Sequence, residues 1–415
     1  MVNFYASLVF FCGVAVALLV YRALAPLLPN WLRQVSLLGI SAVFLFRFAG
    51  LSDFWRPLGL YLLVILGLGE LIAHTIGRKK SAVLAVAVVL ALDVLIVHKY
   101  SHRLSSFFGL SGALEQRLCS LHWVGLSYLS FKVIDYCIAM RSGKATQEPR
   151  SLSWLSGASY FLFFPAFVSG PINRFEPYLA EQTRAFTALT WARLRSDLIR
   201  ISLGIIKILF FGEFAFVYSV LGPGFREAGQ LSVWMLGGSL YSYYLYLYFD
   251  FSGYCDVAIA LADLFEVRLP ENFRYPFLAS SPQDFWNRWH ISLSQWMRDM
   301  VFFRLLRILL KRFPRVPYLI PSMFSIFVTF ALVGVWHGDS LNWLLYGCYH
   351  GLALALGVAY QSLMDAFCPD FYQRLTGNWG YRLVCVFLTF NFVAWGLLLT
   401  QPLGSLSSLF GRLAW

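Results

Sequence analysis

The chain has 415 residues, of which 59% are apolar and 13% are Asp, Glu, Lys or Arg, about half the charged share of an ordinary soluble domain. So little polar surface cannot clothe a body of this size in water, which excludes a soluble globule, and the apolar richness excludes disorder, collagen and coiled coil. The 33 basic against 21 acidic residues leave a formal charge of +12, which reads as a basic cytoplasmic membrane face and not as a nucleic-acid surface.

In chain order, the first 21 residues carry no charge and the first basic residue, Arg22, follows the apolar run. That is the wrong polarity for a signal peptide, so Met1 to Tyr21 reads as a retained first span with its far end in the cytoplasm. Further apolar windows follow near Val35 to Phe48, Leu58 to Ile76, Val83 to Val97, Cys119 to Met140, Trp154 to Val168, Ile201 to Leu221 and Leu231 to Phe249. Three more lie near Tyr318 to Trp336, Leu341 to Leu363 and Leu383 to Thr400. Between these groups, Arg268 to Arg315 holds nine basic residues against three acidic ones, Glu271, Asp284 and Asp299. It is too charged to cross lipid yet keeps helical spacing of its aromatics from Asp284 to Leu310, so it reads as re-entrant or interfacial helices. The expected fold is an all-α polytopic integral membrane protein of about eleven transmembrane helices. With no internal repeat and no long linker, residues 1–415 read as a single membrane domain. Seven scattered cysteines without a CxxC pair give neither a disulfide framework nor a zinc site.

An ionisable group inside an apolar span costs about 2.5–3.5 kcal/mol on insertion scales and is a functional candidate by default. The set comprises Arg47, Glu70, Asp93, Asp135, Asp250, Asp256, His337 and His350, with His290 at the edge of the polar segment. His337 ends an uncharged span in Gly334-Val335-Trp336-His337-Gly338, where glycines on both sides leave room for a substrate to approach. A neutral imidazole there suits a general base; equally, it suits an interfacial cap bonded to a carbonyl. In Trp286-Asn287-Arg288-Trp289-His290, a continuous helix stacks Trp286, Trp289 and Leu293 beside His290, a functional candidate whose spacing reads first as a structural histidine pinned under two tryptophans. His350 either lines the same cavity as His337 or bonds across to a neighbouring helix. Asp250 and Asp256 read as counter-charges for arginines such as Arg288 or Arg298. Ser169-Gly170-Pro171-Ile172-Asn173-Arg174 breaks a helix where membrane proteins tolerate a break, in buried or cavity-lining backbone. No G-x-S-x-G, H-E-x-x-H, Walker loop or G-x-G-x-x-G occurs, so hydrolase, zinc protease, NTPase and dinucleotide readings lack support.

Taken together, Phe249 to Gly253, Pro270-Glu271-Asn272-Phe273, Asp284 to Asp299 and Trp336-His337-Gly338 resemble the membrane-bound O-acyltransferase (MBOAT) family. Two bacterial branches compete. Ser169 to Phe175 and Asp284 to His290 look most like the D-alanyl transferase branch of teichoic-acid modification, whereas Phe251 to Ile259 is closer to the alginate O-acetylase branch. Arg298-Asp299 is followed by Met300-Val301-Phe302-Phe303-Arg304, without the Gly-Gly-Asn usual in the second branch, which favours the first. Asn173 stands where the D-alanyl branch typically has Asp, a mark of a divergent member.

The resemblance implies a multi-pass protein of the bacterial inner membrane that moves an acyl group, D-alanyl foremost, from a carrier-protein thioester to a hydroxyl of a cell-envelope polymer such as teichoic acid. O-acetylation of an exported polysaccharide is the second reading. It implies His337 and His290 as catalytic, and a substrate-binding set of Trp286, Asn287, Arg288, Trp289, Trp336, Ser169, Asn173 and Arg174. It implies no bound cofactor, the phosphopantetheine arriving on an acidic acyl carrier protein. An extracytoplasmic accessory acyltransferase and membrane lipid are further partners, and nucleic acid is not one. The run Arg298, Arg304, Arg307, Lys311, Arg312 and Arg315 suits docking of an acidic carrier by charge, and equally suits anionic headgroups. In a different class, a transporter of a lipid-linked or acyl substrate would leave the acyl bond intact; the missing repeat argues against it.

Overall fold

The computed structural model describes residues 7–49, 55–75, 78–109, 111–112, 125–142, 150–184, 186–226 and 232–401. Their regular structure is helical, with a lone antiparallel bridge between Phe273 and Trp289. Among the described residues, eight stretches are long and apolar enough to cross a membrane: Leu8–Leu27, Asn30–Phe48, Trp55–His74, Lys79–Val97, Trp191–Phe225, Leu319–His337, Leu341–Phe367 and Trp379–Thr400. Contacts gather the chain into two compact units, Met1–Ile205 with Tyr254–Pro270, and Ile206–Gly253 with Glu271–Trp415.

The first unit contains α1 (Leu8–Leu24), α2 (Asn30–Phe48), α3 (Trp55–His74), α4 (Arg78–Phe107), α5 (Leu126–Ser142), α6 (Arg150–Leu162), α7 (Phe175–Gln182) and α8 (Trp191–Ile206). The apolar window expected from Cys119 resolves into α5, and its residues 119–124 lie outside the described ones. The window from Trp154 ends early, at Leu162, because Pro165 cannot continue a helix and the chain tightens into a 3-10 turn over Phe164–Ala166. The core here is aromatic, with Tyr136, Tyr160, Phe161, Phe163, Phe175 and Tyr178 fully buried. Gly69 makes room for it, since a Cβ there would sit 2.4 Å from the Tyr136 ring. Asp135 on α5 accepts from Arg174 at 2.8 Å and from the Phe175 backbone N–H at 2.7 Å, which answers the first orphan donor of α7. Fully buried Lys132 donates to the Tyr160 carbonyl at 3.0 Å.

The second unit adds α9 (Glu213–Tyr218), α10 (Pro223–Arg226), the 32-residue α11 (Val233–Leu264), α12 (Pro282–Trp286), α13 (Ile291–Met297), α14 (Phe303–Arg312), α15 (Leu319–His337), α16 (Leu341–Phe367), α17 (Pro369–Gly377) and α18 (Trp379–Gly396). Helix α11 supplies residues to both units, running well beyond the window expected to close near Phe249. Within the first unit, its end is held by charge. Asp256 pairs with Arg200 at 3.0 Å and Asp263 with Arg193 at 2.6 Å, and Arg22 donates to the terminal Leu264 carbonyl at 2.6 and 3.0 Å. Asp256 is thus the counter-charge of an arginine, as expected, but the arginine is Arg200 and neither of the two named as examples: Arg288 pairs with Asp284 at 2.7 Å and Arg298 with Asp299 at 3.6 Å. Asp284 stands four residues before Arg288, the spacing at which opposite charges meet on one turn of chain.

Helices α15 and α16 form a tight hairpin. The buried face of α15 is rich in small residues, Ser322, Ser325, Thr329 and Gly334, beside Pro321, Val333 and Trp336, as membrane helix contacts favour. Ser325 and Thr329 return their hydroxyls to the carbonyls of Pro321 and Ser325, so neither is left unpaired in an apolar setting. A Cβ on Gly334 would lie 2.3 Å from the Trp343 carbonyl, and one on Gly347 would lie 2.4 Å from the Phe330 carbonyl. The two backbones therefore touch where both positions are glycine.

Candidate active site

His337 is the last residue of α15 and is half-buried. Trp336 packs edge-on at 4.7 Å between ring centres, and Trp343, just inside α16, stacks on the imidazole at 5.3 Å and 20°. The neighbouring glycines do not provide the substrate room expected from the sequence. The space beside Gly334 is filled by α16, and a Cβ on Gly338 would come within 2.0 Å of the Trp343 indole. Gly338 admits the Trp343 indole that stacks on the imidazole.

The expected continuous helix through His290 is corrected as well. Helix α12 stops at Trp286 and α13 starts at Ile291, with His290 between them at φ 45°. Backbone bonds to a distant strand-like segment draw the chain out of helix: Arg274 N–H donates to the Arg288 carbonyl at 2.9 Å, and Ile291 N–H to the Asn272 carbonyl at 3.0 Å. The Asn272 side chain then accepts from the Ser292 N–H at 3.0 Å and its hydroxyl at 2.9 Å. As a result, His290 does not lie under Trp286 and Trp289. Its ring meets Phe251 at 4.8 Å and Trp336 at 6.4 Å. Trp336 thus contacts both imidazoles, and His337 lies within electrostatic reach of His290.

His290 is buried, and that burial, helped by the nearby His337, pushes its imidazole down from 6.5 to about 3. It is neutral at physiological pH, and His337 is the more exposed of the two imidazoles. The sign for stability follows. Between pH 6.5 and about 3 the unfolded chain takes up a proton that the folded protein refuses, so stability is full above 6.5 and falls as pH drops, by up to ~1.4 kcal/mol per pH unit. Thermal melts of the solubilised protein should show a shallower acid-side fall in His290→Gln than in wild type; equal slopes would mean that His290 titrates normally.

The remaining candidates fall on several elements. Trp286 is buried and donates its indole N–H to His350 at 3.2 Å, so His350 bonds across to another helix. Trp289 packs among Tyr244, Phe273 and Phe285 at 5.1–5.8 Å, Arg288 is ion-paired, and Asn287 is exposed. Ser169, Asn173 and Arg174 belong to the first unit. There the Ser169 N–H donates to the Tyr254 hydroxyl at 3.0 Å and Arg174 is held by Asp135. Arg298, Arg304, Arg307, Lys311, Arg312 and Arg315 are exposed, and four of them lie on α14. A groove of about 550 Å³ runs beside that helix, lined by Asp299, Phe303, Leu306, Arg307, Leu310 and Lys311. The sequence alone assigns no role to Asn272 or Trp343; the Pro270-Glu271-Asn272-Phe273 run is the available signal for the first. Among the described residues, no three His, Cys, Asp or Glu side chains converge to hold a metal ion.

Within a body of membrane-length helices, Trp336 thus has the imidazoles of His290 and His337 on either side of it. The family model described as MBOAT, membrane-bound O-acyltransferase family, matches residues 84–400. Over 287 residues the chain is 30% identical to a teichoic acid D-alanyltransferase of Bacillus subtilis, covering 66% of this chain and 68% of that one. It is 31% identical over 233 residues to a probable alginate O-acetylase AlgI of Pseudomonas fluorescens, covering 56% and 44%. With a peptidoglycan O-acetyltransferase of Helicobacter pylori it shares 31% over 247 residues, covering 58% and 43%. The chain belongs to the membrane-bound O-acyltransferase family, and its chemistry is acyl transfer.

Proposed function

We propose that the protein transfers an acyl group, D-alanyl foremost, from the phosphopantetheine thioester of a cytoplasmic carrier protein to a hydroxyl of a cell-envelope polymer such as teichoic acid. The observation that carries this reading is the convergence of His337 and His290 on Trp336, one imidazole half-buried and the other buried and neutral. His337 takes the proton of the acceptor hydroxyl, and the oxygen attacks the thioester carbonyl. The C–S bond breaks as the ester forms, and the imidazolium returns its proton to the leaving thiolate. His290, held neutral, orients the thioester arm from the donor side. Similarity to a D-alanyltransferase over two thirds of both chains supports the D-alanyl group. Similarity to O-acetylases supports acetyl as the second reading.

The test is discharge of a carrier protein loaded with radiolabelled D-alanine by the purified protein in nanodiscs. Transfer to a hydroxyl acceptor supports the first reading; transfer from an acetyl donor alone moves the protein to the O-acetylase branch; transfer from neither overturns both. The exposed cations of α14 and its groove support carrier docking, since carriers of this kind are acidic and charge complementarity speeds encounter. Reversing Arg304 and Arg307 to Glu should weaken carrier binding about tenfold or more at low salt, with the difference shrinking as salt rises. Unchanged carrier affinity would assign these cations to lipid headgroups.

A further inference from the structure

We infer that His350 is a positioning residue, a strap that ties the segment carrying His290 to the helix pair that presents His337. The inference rests on His337 being the reacting imidazole. An indole nitrogen can only donate, so the 3.2 Å contact from Trp286 Nε1 makes His350 Nδ1 the acceptor and leaves the proton of the neutral ring on Nε2. Trp286 is 6% exposed and His350 is fully buried. Among the described residues Nε2 has no partner, so the contact with Trp286 is the ring's one hydrogen bond there.

The connectivity gives this bond its leverage. Trp286 closes α12, four residues before His290. His350 sits on α16 between Gly347, where the α15 backbone is touched, and Gly351, whose Cβ would lie 3.0 Å from Phe330. His337 lies within electrostatic reach of both His290 and His350. The ring is fixed by Tyr346 at 4.6 Å, Phe392 at 5.2 Å and Tyr349 at 5.4 Å, with Phe285 stacked at 6.2 Å. Packing alone would accept any flat apolar side chain at this position. A histidine is explained by the acceptor that it offers to a buried indole N–H, and the result is a fixed offset between the two imidazoles.

The experiment compares wild type with His350→Phe, Trp286→Phe, the double variant and His350→Gln, whose amide oxygen can still accept. With D-alanyl or acetyl carrier thioester, each Phe variant should lose about 10–100-fold in kcat with donor KM within about twofold, as misplacement of reacting groups predicts. The double variant should be no worse than the poorer single one, because both remove the same bond, and Gln should recover about tenfold. Losses that multiply in the double variant, a loss that falls on KM, or a Gln variant as poor as Phe would each overturn the strap. A readout independent of the donor is the rate at which diethylpyrocarbonate modifies His337, followed by mass spectrometry. Both Phe variants should change it alike and Gln should restore it, while unchanged rates overturn the inference. If wild type transfers neither acyl group, the functional reading fails and the modification rates still decide the strap.

Discussion

Replacing His337 by Ala is expected to abolish acyl transfer, a fall of about 10²–10⁴-fold for loss of a positioned base, in a protein that still folds and still binds its carrier. The side chain is half-buried at the end of α15, and its described ring contacts are with Trp336 and Trp343, so truncation removes the proton acceptor without opening the core. Transfer and carrier binding, measured on the same folded preparation, separate the two roles. A folded His337→Ala protein with full transfer would remove the base assignment. If wild type moved an acyl-bearing substrate with its acyl bond intact, the transporter class would return.

The second large effect is expected at the glycines of the α15–α16 contact, where two substitutions of one methyl should fail differently. In Gly334→Ala the new carbon meets a backbone carbonyl at 2.3 Å and Gly347 at 3.1 Å. Main chain cannot rotate away, so the helices must part, at a cost of about 1–3 kcal/mol for overpacking a tight contact. In Gly338→Ala the obstacle is the Trp343 indole at 2.0 Å. The indole must turn off the imidazole that it stacks on, so the protein should keep most of its stability and lose about 10²-fold in kcat through misplacement of His337. Thermal denaturation and steady-state transfer on both variants check the pair. Equal melting temperatures and equal rates would show that neither clash exists.

Spans and histidines were legible in the sequence for separate reasons. A run such as Leu319 to Trp336 can satisfy its backbone in lipid only as a helix, and an imidazole at its end is conspicuous by cost. The break at Asn287 to His290 was not legible, because Trp286, Trp289 and Leu293 repeat at helical spacing. The competing demand comes from Asn272 and Arg274, whose backbone bonds no local periodicity reveals. Gly334 and Gly338 could be read as room; that the room is taken by Trp343 and Gly347 is a tertiary fact. The partner of Asp256 was similarly hidden, since a sequence rich in arginine offers many, and the fold selects Arg200.

The connection between α15 and α16 is three residues long, 338–340, and His337 and Trp343 are six positions apart. Closing so short a loop costs little entropy, so the stacked imidazole is a local product, complete once one helical hairpin has entered the bilayer. His290 has a different history. Its surroundings are gathered from Phe251, Asn272 and Trp336, and they exist only after distant stretches of chain have come together. The two histidines therefore depend on different sets of contacts, and damage elsewhere in the second unit should reach His290 while leaving the hairpin and its imidazole in place.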